Sequence, residues 1–440
     1  VSAELSPAAR ILQRLAQIEP QERPAVAAAF ALFFCVLCGY FMLRPVRETI
    51  GTVLGEKEVE DLFVATWIGS IAVIPIYGLA CSYLPRAAVL AAVYALFGGS
   101  LLVLAGEMNV DPGNLAAARF FYVWISIFNL FVVSVFWTLM VDRTSSEQAK
   151  RLFGVIAAGG TIGGLIAPVL TNFLIERVGR TGVLATSASL FAIAIICQVI
   201  LLRVWRRSPK AAADTPGREK PIGGNPFAGI TRVLRSPYLL GFCLFVFLLA
   251  SVTTFLYFDQ LRLVKEAFPN EDDRTQVFAR IDFVVQALTL LTQLFFTGRI
   301  ATRLGLAVLL VSVPLAMLGG FLTLALISNF WVLAVVMVIR RAGEYALTRP
   351  GREILFTSVD TETKYKAKNF IDVVVYRGGD ALSAQVRGGL KASDMSSAAL
   401  ALVGAGLALA WTIVGWWLAR RHEDQPASLA SSDRQPAPSS

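Results

Sequence analysis

Histidine is almost missing from this chain. Its one imidazole, His422, follows the last apolar run, which excludes a histidine-ligated metal centre and a Ser–His–acid triad. Charge is scarce as well: 16% of the 440 residues are charged and 56% are apolar. Five cysteines (Cys35, Cys38, Cys81, Cys197 and Cys243) all lie inside apolar runs. They offer no disulfide framework, and the Cys35/Cys38 CxxC reads as two small apolar residues on one helix. Nothing reads GK[ST], so a P-loop that hydrolyses nucleotide is excluded. No nucleophile–base pair and no metal cluster is in evidence, so neither an enzyme nor a bound cofactor is expected. No polar segment is long enough to form a separate soluble domain.

What the chain has instead is long apolar runs. Twelve segments are expected to span a bilayer, at roughly 25–48, 62–84, 87–106, 116–141, 152–175, 182–204, 237–259, 278–298, 305–328, 329–348, 366–390 and 396–419. Each has about 20 residues or more, enough for roughly 30 Å of hydrocarbon. The first ends in "LRPVRE" rather than in a small-residue cleavage site, unlike a cleaved signal peptide. Twelve spans put both termini on one side. That side carries 25 Lys and Arg against 11 on the other, which predicts cytoplasmic termini. The net charge of +9 then reflects basic loops beside anionic lipid rather than a nucleic-acid partner. Residues 1–24 contain Ser6-Pro7, an N-cap with proline at N1, followed by an apolar stripe of Ile11, Leu12, Leu15 and Ile18. They read as a cytoplasmic surface helix. The Pro-, Gly- and charge-rich stretch 205–236 reads as a linker between residues 25–204 and 237–419, and 420–440 as a disordered cytoplasmic tail.

The two halves echo one another. "GLACSYLPRAAVL" (78–90) precedes "GRIATRLGLAVLL" (298–310) by 220 residues, and "AKRLFGVIAAGGTIGG" (149–164) precedes "AKNFIDVVVYRGGDAL" (367–382) by 218. Internal repeats of this kind are common in secondary transporters. Gly298–Gly305, with Arg303 and Gly305, resembles the short loop signature between helices 2 and 3 of the major facilitator superfamily. The resemblance implies an all-α polytopic protein whose 12 helices form two six-helix bundles around a central cavity, working by alternating access. A narrower resemblance, from about residue 25 to 420, is to the nucleotide (ATP/ADP) translocases of plastids and intracellular bacteria and their bacterial relatives. It rests on "FFCVLCGYFMLRPVRETIG" (33–51), "FWTLMVDRTSSEQAKRLFG" (136–154) and "KYKAKNFIDVVVYRGGDAL" (364–382). Arg44, Arg47 and Glu48 stand in the family's Arg-acid-x-Lys-acid pattern, with Pro45 at its first acid, and Asp142 stands at a family Glu. Thr254 lies near the place of a family acid in helix 7. The resemblance implies exchange of an anionic small molecule, a nucleotide or another phosphorylated metabolite, by a monomer in a bacterial inner membrane. Any nucleotide would then be cargo.

The charges inside the spans are the candidate site. Asn369, Asp372, Tyr376, Asp380, Ser383 and Arg387 fall within about 80° of one helical wheel, with Arg377 about 60° outside. A charge at the bilayer centre costs roughly 2.5–3.5 kcal/mol unless it meets water or a partner. Helix 10 carries Arg340, Arg341 and Glu344, and helix 8 carries Asp282, Gln286, Thr289 and Gln293. Arg44, Arg47, Arg340, Arg341 and Arg377 are the candidate anion contacts, since guanidinium matches phosphate bidentately. Glu48, Asp142, Asp282, Glu344, Asp372 and Asp380 are candidate counter-ions, gates or proton sites. The competing reading of each is a pair that merely holds helices together. Two rival functions stay open: proton-coupled transport of a non-nucleotide or amphipathic solute, and a non-transporting scaffold or sensor on a transporter fold. "AAGGTIGGLIAP" (157–168) reads as a close helix contact, because small residues spaced four apart let backbones approach.

Overall fold

The computed structural model describes residues 18–144, 146–206, 233, 236–297, 300, 303, 305–356 and 370–423. The expected surface helix (except for a turn at its end), most of the linker, the tail beyond Glu423, and Lys364, Lys366, Lys368 and Asn369 lie outside these residues; the first four residues of the expected disordered tail, 420–423, are helical instead. The described residues are helical almost throughout. In order they form α1 (Arg23–Leu54), α2 (Glu56–Tyr83), α3 (Arg86–Val110) and α4 (Leu115–Arg143). The run Ser146–Arg206 is broken at Gly179 (φ 61°) into α5 and α6. Then come α7 (Pro237–Ala267), α8 (Glu271–Thr292), α9 (Gly305–Leu326), α10 (Phe330–Gly343), α11 (Tyr376–Ala392) and α12 (Ser397–Glu423). Three π-turns interrupt this plan. Gln293–Thr297 ends α8, Glu344–Thr348 separates α10 from a last α-helical piece Arg349–Leu355, and Phe370–Val375 begins α11.

Local chemistry sets the ends. Asn114, Ser236 and Asn329 each accept a hydrogen bond from the backbone N–H three residues on, at the starts of α4, α7 and α10. Such caps satisfy donors that the first helical turn leaves free. Pro237 follows Ser236 at the first position of α7, where its missing N–H costs nothing. Gly55 (φ 86°) lets the chain reverse between α1 and α2 with no intervening loop.

Among the described residues, nine helices are long and apolar enough to cross a membrane. One of the nine, Arg151–Trp205, contains both the fifth and the sixth expected spans. The tenth and eleventh expected spans are the ones cut by π-turns and charges. Large apolar side chains stay exposed along these helices, among them Ile68, Leu96 and Trp331. Among the described residues, twenty-six polar or charged ones are buried. That inversion suits a chain whose solvent is hydrocarbon, where backbone polar groups must be satisfied within the helix.

The chain forms two compact units. The first takes its described residues from Val1–Ile50, Ala72–Ile222 and Asn270–Phe283; the second takes them from Gly51–Ile71, Gly223–Pro269 and Val284–Ser440. In the first unit α5 lies directly on α1. A Cβ on Gly160 would sit 2.4 Å from the Phe33 ring, and one on Gly163 would sit 2.6 Å from the Phe34 carbonyl oxygen. The small residues of 157–168 thus make the close contact their spacing predicts. Phe97 of α3 stacks on Phe128 of α4 at 3.4 Å, with Phe191 of α6 edge-on to Phe97 at 5.0 Å. In the second unit α9 packs on α12, and α7 on both α11 and α12. Trp411, Phe242, Phe245 and Phe321 fill that core.

Candidate functional site

The first unit gathers one charged cluster. Pro45 is no obstacle to α1, which carries Arg44, Arg47 and Glu48 on its last turns. The Arg44 Nε lies 3.9 Å from Glu48 and 4.0 Å from Asp282, contributed by α8. Arg47 donates to Glu48 at 3.1 Å and to Ser126 of α4 at 3.2 Å, and its guanidinium stands 5.0 Å from the centre of the Tyr122 ring. Glu48 and Asp282 are buried, at 6% and 2% exposure. Three neighbouring residues of α1 and the distant Asp282 of α8 therefore meet, as two cations and two acids.

The second unit gathers the rest. Arg340 and Arg341 close α10, and both are buried. Arg340 Nη1 donates to Glu344 at 2.9 Å and to Thr253 of α7 at 3.0 Å. Arg377 lies 3.7 Å from Asp380, and Asp380 accepts from Thr254 at 3.1 Å. Asp372 pairs with Arg352. Asp142 lies in the last turn of α4, with its side chain outside the described residues.

The polar face of α11 is only partly what its wheel suggests. A water-lined surface is expected there, yet much of the face is a seam against α7. Asp380 meets Thr254, Ser383 donates to Ser251 at 2.8 Å, and Arg387 donates to Asp259 at 3.2 Å. Each polar group finds a partner on the neighbouring helix, so water is not needed to remove the cost of burial. At Thr254 a hydroxyl donates to Asp380, where a carboxylate would repel it.

One cluster was not foreseen. Arg387, at 2% exposure, donates to Glu56 of α2 at 2.8 Å as well as to Asp259, and stands 4.9 Å from the centre of the Phe258 ring. Lys391 lies 2.8 Å from the same Glu56. Arg387 belongs to the polar stripe of α11, which was the available signal. Glu56 looks in sequence like an ordinary loop acid, and Asp259 like the end of an apolar run.

Among the described residues no three His, Cys, Asp or Glu side chains are placed to hold a metal. What the geometry offers is arginines held against acids in both units. A model of the Major Facilitator Superfamily matches residues 29–348. The chain belongs to the Major Facilitator Superfamily. Curated relatives narrow the comparison. The chain is 24% identical over 439 residues to "ADP,ATP carrier protein 1" of Chlamydia trachomatis, with 85% of this chain and 83% of that protein covered. It is 23% identical to "ADP,ATP carrier protein 1, chloroplastic" of Arabidopsis thaliana, with 90% and 74% covered. Among solved structures it resembles the nucleoside transporter NupG, at TM-score 0.64, 14% identity and coverage of 92% of this chain and 100% of that one. It also resembles the POT family transporter PepTSo, at TM-score 0.65, 12% identity and coverage of 91% and 98%. At such identities the solved structures speak for the fold alone. This major facilitator protein is therefore a multi-pass membrane transporter.

Proposed function

We propose that this transporter exchanges anionic nucleotides, or closely similar phosphorylated metabolites, across a bacterial inner membrane by alternating access, as a monomer with both termini in the cytoplasm. The likeness to ADP,ATP carriers along most of the chain carries this reading. The buried arginines support it. Arg340 and Arg341 are adjacent in sequence and both lie out of bulk water, where a guanidinium binds phosphate more strongly than at a wet surface. Arg44 and Arg47 supply two more cations in the other unit. Their acidic partners keep each group neutralised when no substrate is present. An arriving phosphate competes with those carboxylates, so binding swaps one anion for another rather than burying a new charge. That exchange of counter-ions suits an antiporter, which needs the empty carrier to cross poorly and the loaded carrier to cross well.

The test is uptake of labelled ATP into proteoliposomes of the purified protein. Vesicles loaded with ADP should take up label, and empty vesicles should not. Absence of uptake with every nucleotide and sugar phosphate tried inside and outside would reject the reading. Thermal stabilisation of the purified protein by the same compounds gives an independent measure, since a ligand that binds the folded state raises its apparent stability.

A further inference from the structure

All three described π-turns fall in the second unit, and they are joined side by side. A π-turn closes its hydrogen bonds over five residues instead of four, and such turns recur at functional sites. In α10 the Arg349 N–H bonds the Glu344 carbonyl, five residues back. The neighbouring carbonyls of Tyr345 and Ala346 accept side-chain hydrogen bonds from α8: Gln293 Nε2 at 3.2 Å and Thr297 Oγ1 at 2.8 Å. Gln293 and Thr297 are the first and last residues of the α8 π-turn. Just beyond the α10 π-turn, Arg352 pairs with Asp372, which lies inside the α11 π-turn. A chain of side-chain contacts thus runs from one π-turn to the next across three helices.

The sequence repeat bears on one of them. Ala367 stands 218 residues after Ala149, but Gly379 stands 219 residues after Gly160. The two glycines occupy equivalent places. Gly160 faces Phe33 of α1, and Gly379 faces Ala250 of α7, where a Cβ would approach to 3.0 Å. Counted on the Gly-Gly pairs, the second-half segment is one residue longer than the first, and Phe370–Val375 lies within it. In the first half the matching segment is plain α-helix. An added residue that rotates half a helix costs stability unless something favours keeping it.

We propose that the π-turns of α8, α10 and α11 form one linked hinge layer, in which Gln293, Thr297 and Arg352 are positioning residues that hold Glu344 against Arg340 in the substrate-free carrier. Glu344 is the first residue of the α10 π-turn, so the carbonyl clasp from α8 fixes the turn that presents it. Substrate anion taking Arg340 releases Glu344, and the clasped segments shift together. The regulation of the anion site described here rests on the transport reading; the mechanical linkage does not.

The experiment uses the full-length protein in the double variant Gln293→Leu/Thr297→Val, with Thr297→Ser, which keeps the hydroxyl, as the conservative control. Hydrogen–deuterium exchange without any substrate reads the linkage. The double variant should exchange faster at the amides of 344–349 and also at 372–377, two helices away, while those of α12 stay as in the wild type. Acceleration confined to α8, or none, overturns the proposal, and faster exchange in α12 as well would show general destabilisation and overturn it too. Exchange kinetics in proteoliposomes read the consequence. The apparent KM should fall about fivefold, the worth of one net hydrogen bond, because Glu344 competes less well for Arg340. Turnover should fall too, and Thr297→Ser should leave both as in the wild type. A rise in KM would overturn the positioning role. If the wild type exchanges no nucleotide yet the amides of 344–349 and 372–377 respond together, the transport reading fails and the linked layer stands.

Discussion

At the scale of single residues, the buried charges divide by how many partners lose theirs when one is removed. Arg340→Gln leaves Glu344 buried without its cation at 2.9 Å, which should lower stability by about 3–5 kcal/mol. The double change Arg340→Gln/Glu344→Gln removes both charges and should recover most of that loss. It should not recover substrate binding if Arg340 holds the anion. Chemical denaturation of the variants together with ligand-induced thermal shifts separates the two effects; a double variant that binds as the wild type does would make the pair structural. Arg387 sets a sterner case. It serves two acids, Glu56 and Asp259, so Arg387→Met should be more damaging than Arg340→Gln in the same denaturation experiment. Lys391 still stands 2.8 Å from Glu56 and Arg262 3.9 Å from Asp259, so neutralising Asp259, whose remaining cation is more distant, should recover more of the loss than neutralising Glu56.

At the scale of helices, close backbone approach carries the first unit. Gly160→Leu would drive a side chain into Phe33 and Leu37, whose atoms already lie within 2.6 Å of an added Cβ. Overpacking of this kind costs about 1–3 kcal/mol or more, and the variant should show a lowered melting temperature with α1 and α5 forced apart. Gly319→Leu on α9 meets nothing within 4 Å and should melt as the wild type does. The spans and the glycine contact were legible in the sequence because lipid imposes a length and an apolar surface on any helix that crosses it, and because small residues recur on one helical face. The π-turns were not legible. One extra residue leaves composition, hydropathy and span length almost unchanged, and only the mismatch between the Ala149–Ala367 and Gly160–Gly379 separations betrays it. The candidate charges were legible as a set, since an ion in an apolar run stands out. Their pairing was not. Arg387 and Glu56 are separated by 331 residues, and nothing local in either helix names the other. The polar stripe of α11 carried the same ambiguity, because a helical wheel shows which residues share a face but not whether water or α7 meets it.

At the scale of the whole molecule, the question is what drives transport, and Asp282 bears on it. A carboxylate taken from water without a partner holds its proton more tightly, and such a group could carry a proton across. Asp282 is buried at 2% exposure but has the Arg44 guanidinium 4.0 Å away, and Arg44 also lies beside Glu48. On the exchange reading, this pairing with Arg44 makes Asp282 a fixed counter-ion. Net movement of protons is then not part of the cycle. Proteoliposomes with an acid exterior and no internal substrate should fail to accumulate labelled nucleotide, and collapsing the proton gradient should leave exchange in loaded vesicles unchanged. Asp282→Asn would remove a negative charge beside Arg44 and should slow exchange without making it depend on pH. Arg44→Gln should be the more harmful of the two, because it removes the cation that lies beside both Glu48 and Asp282. Strong accumulation into empty vesicles under a proton gradient, abolished by Asp282→Asn, would instead make Asp282 a proton carrier and overturn the exchange reading.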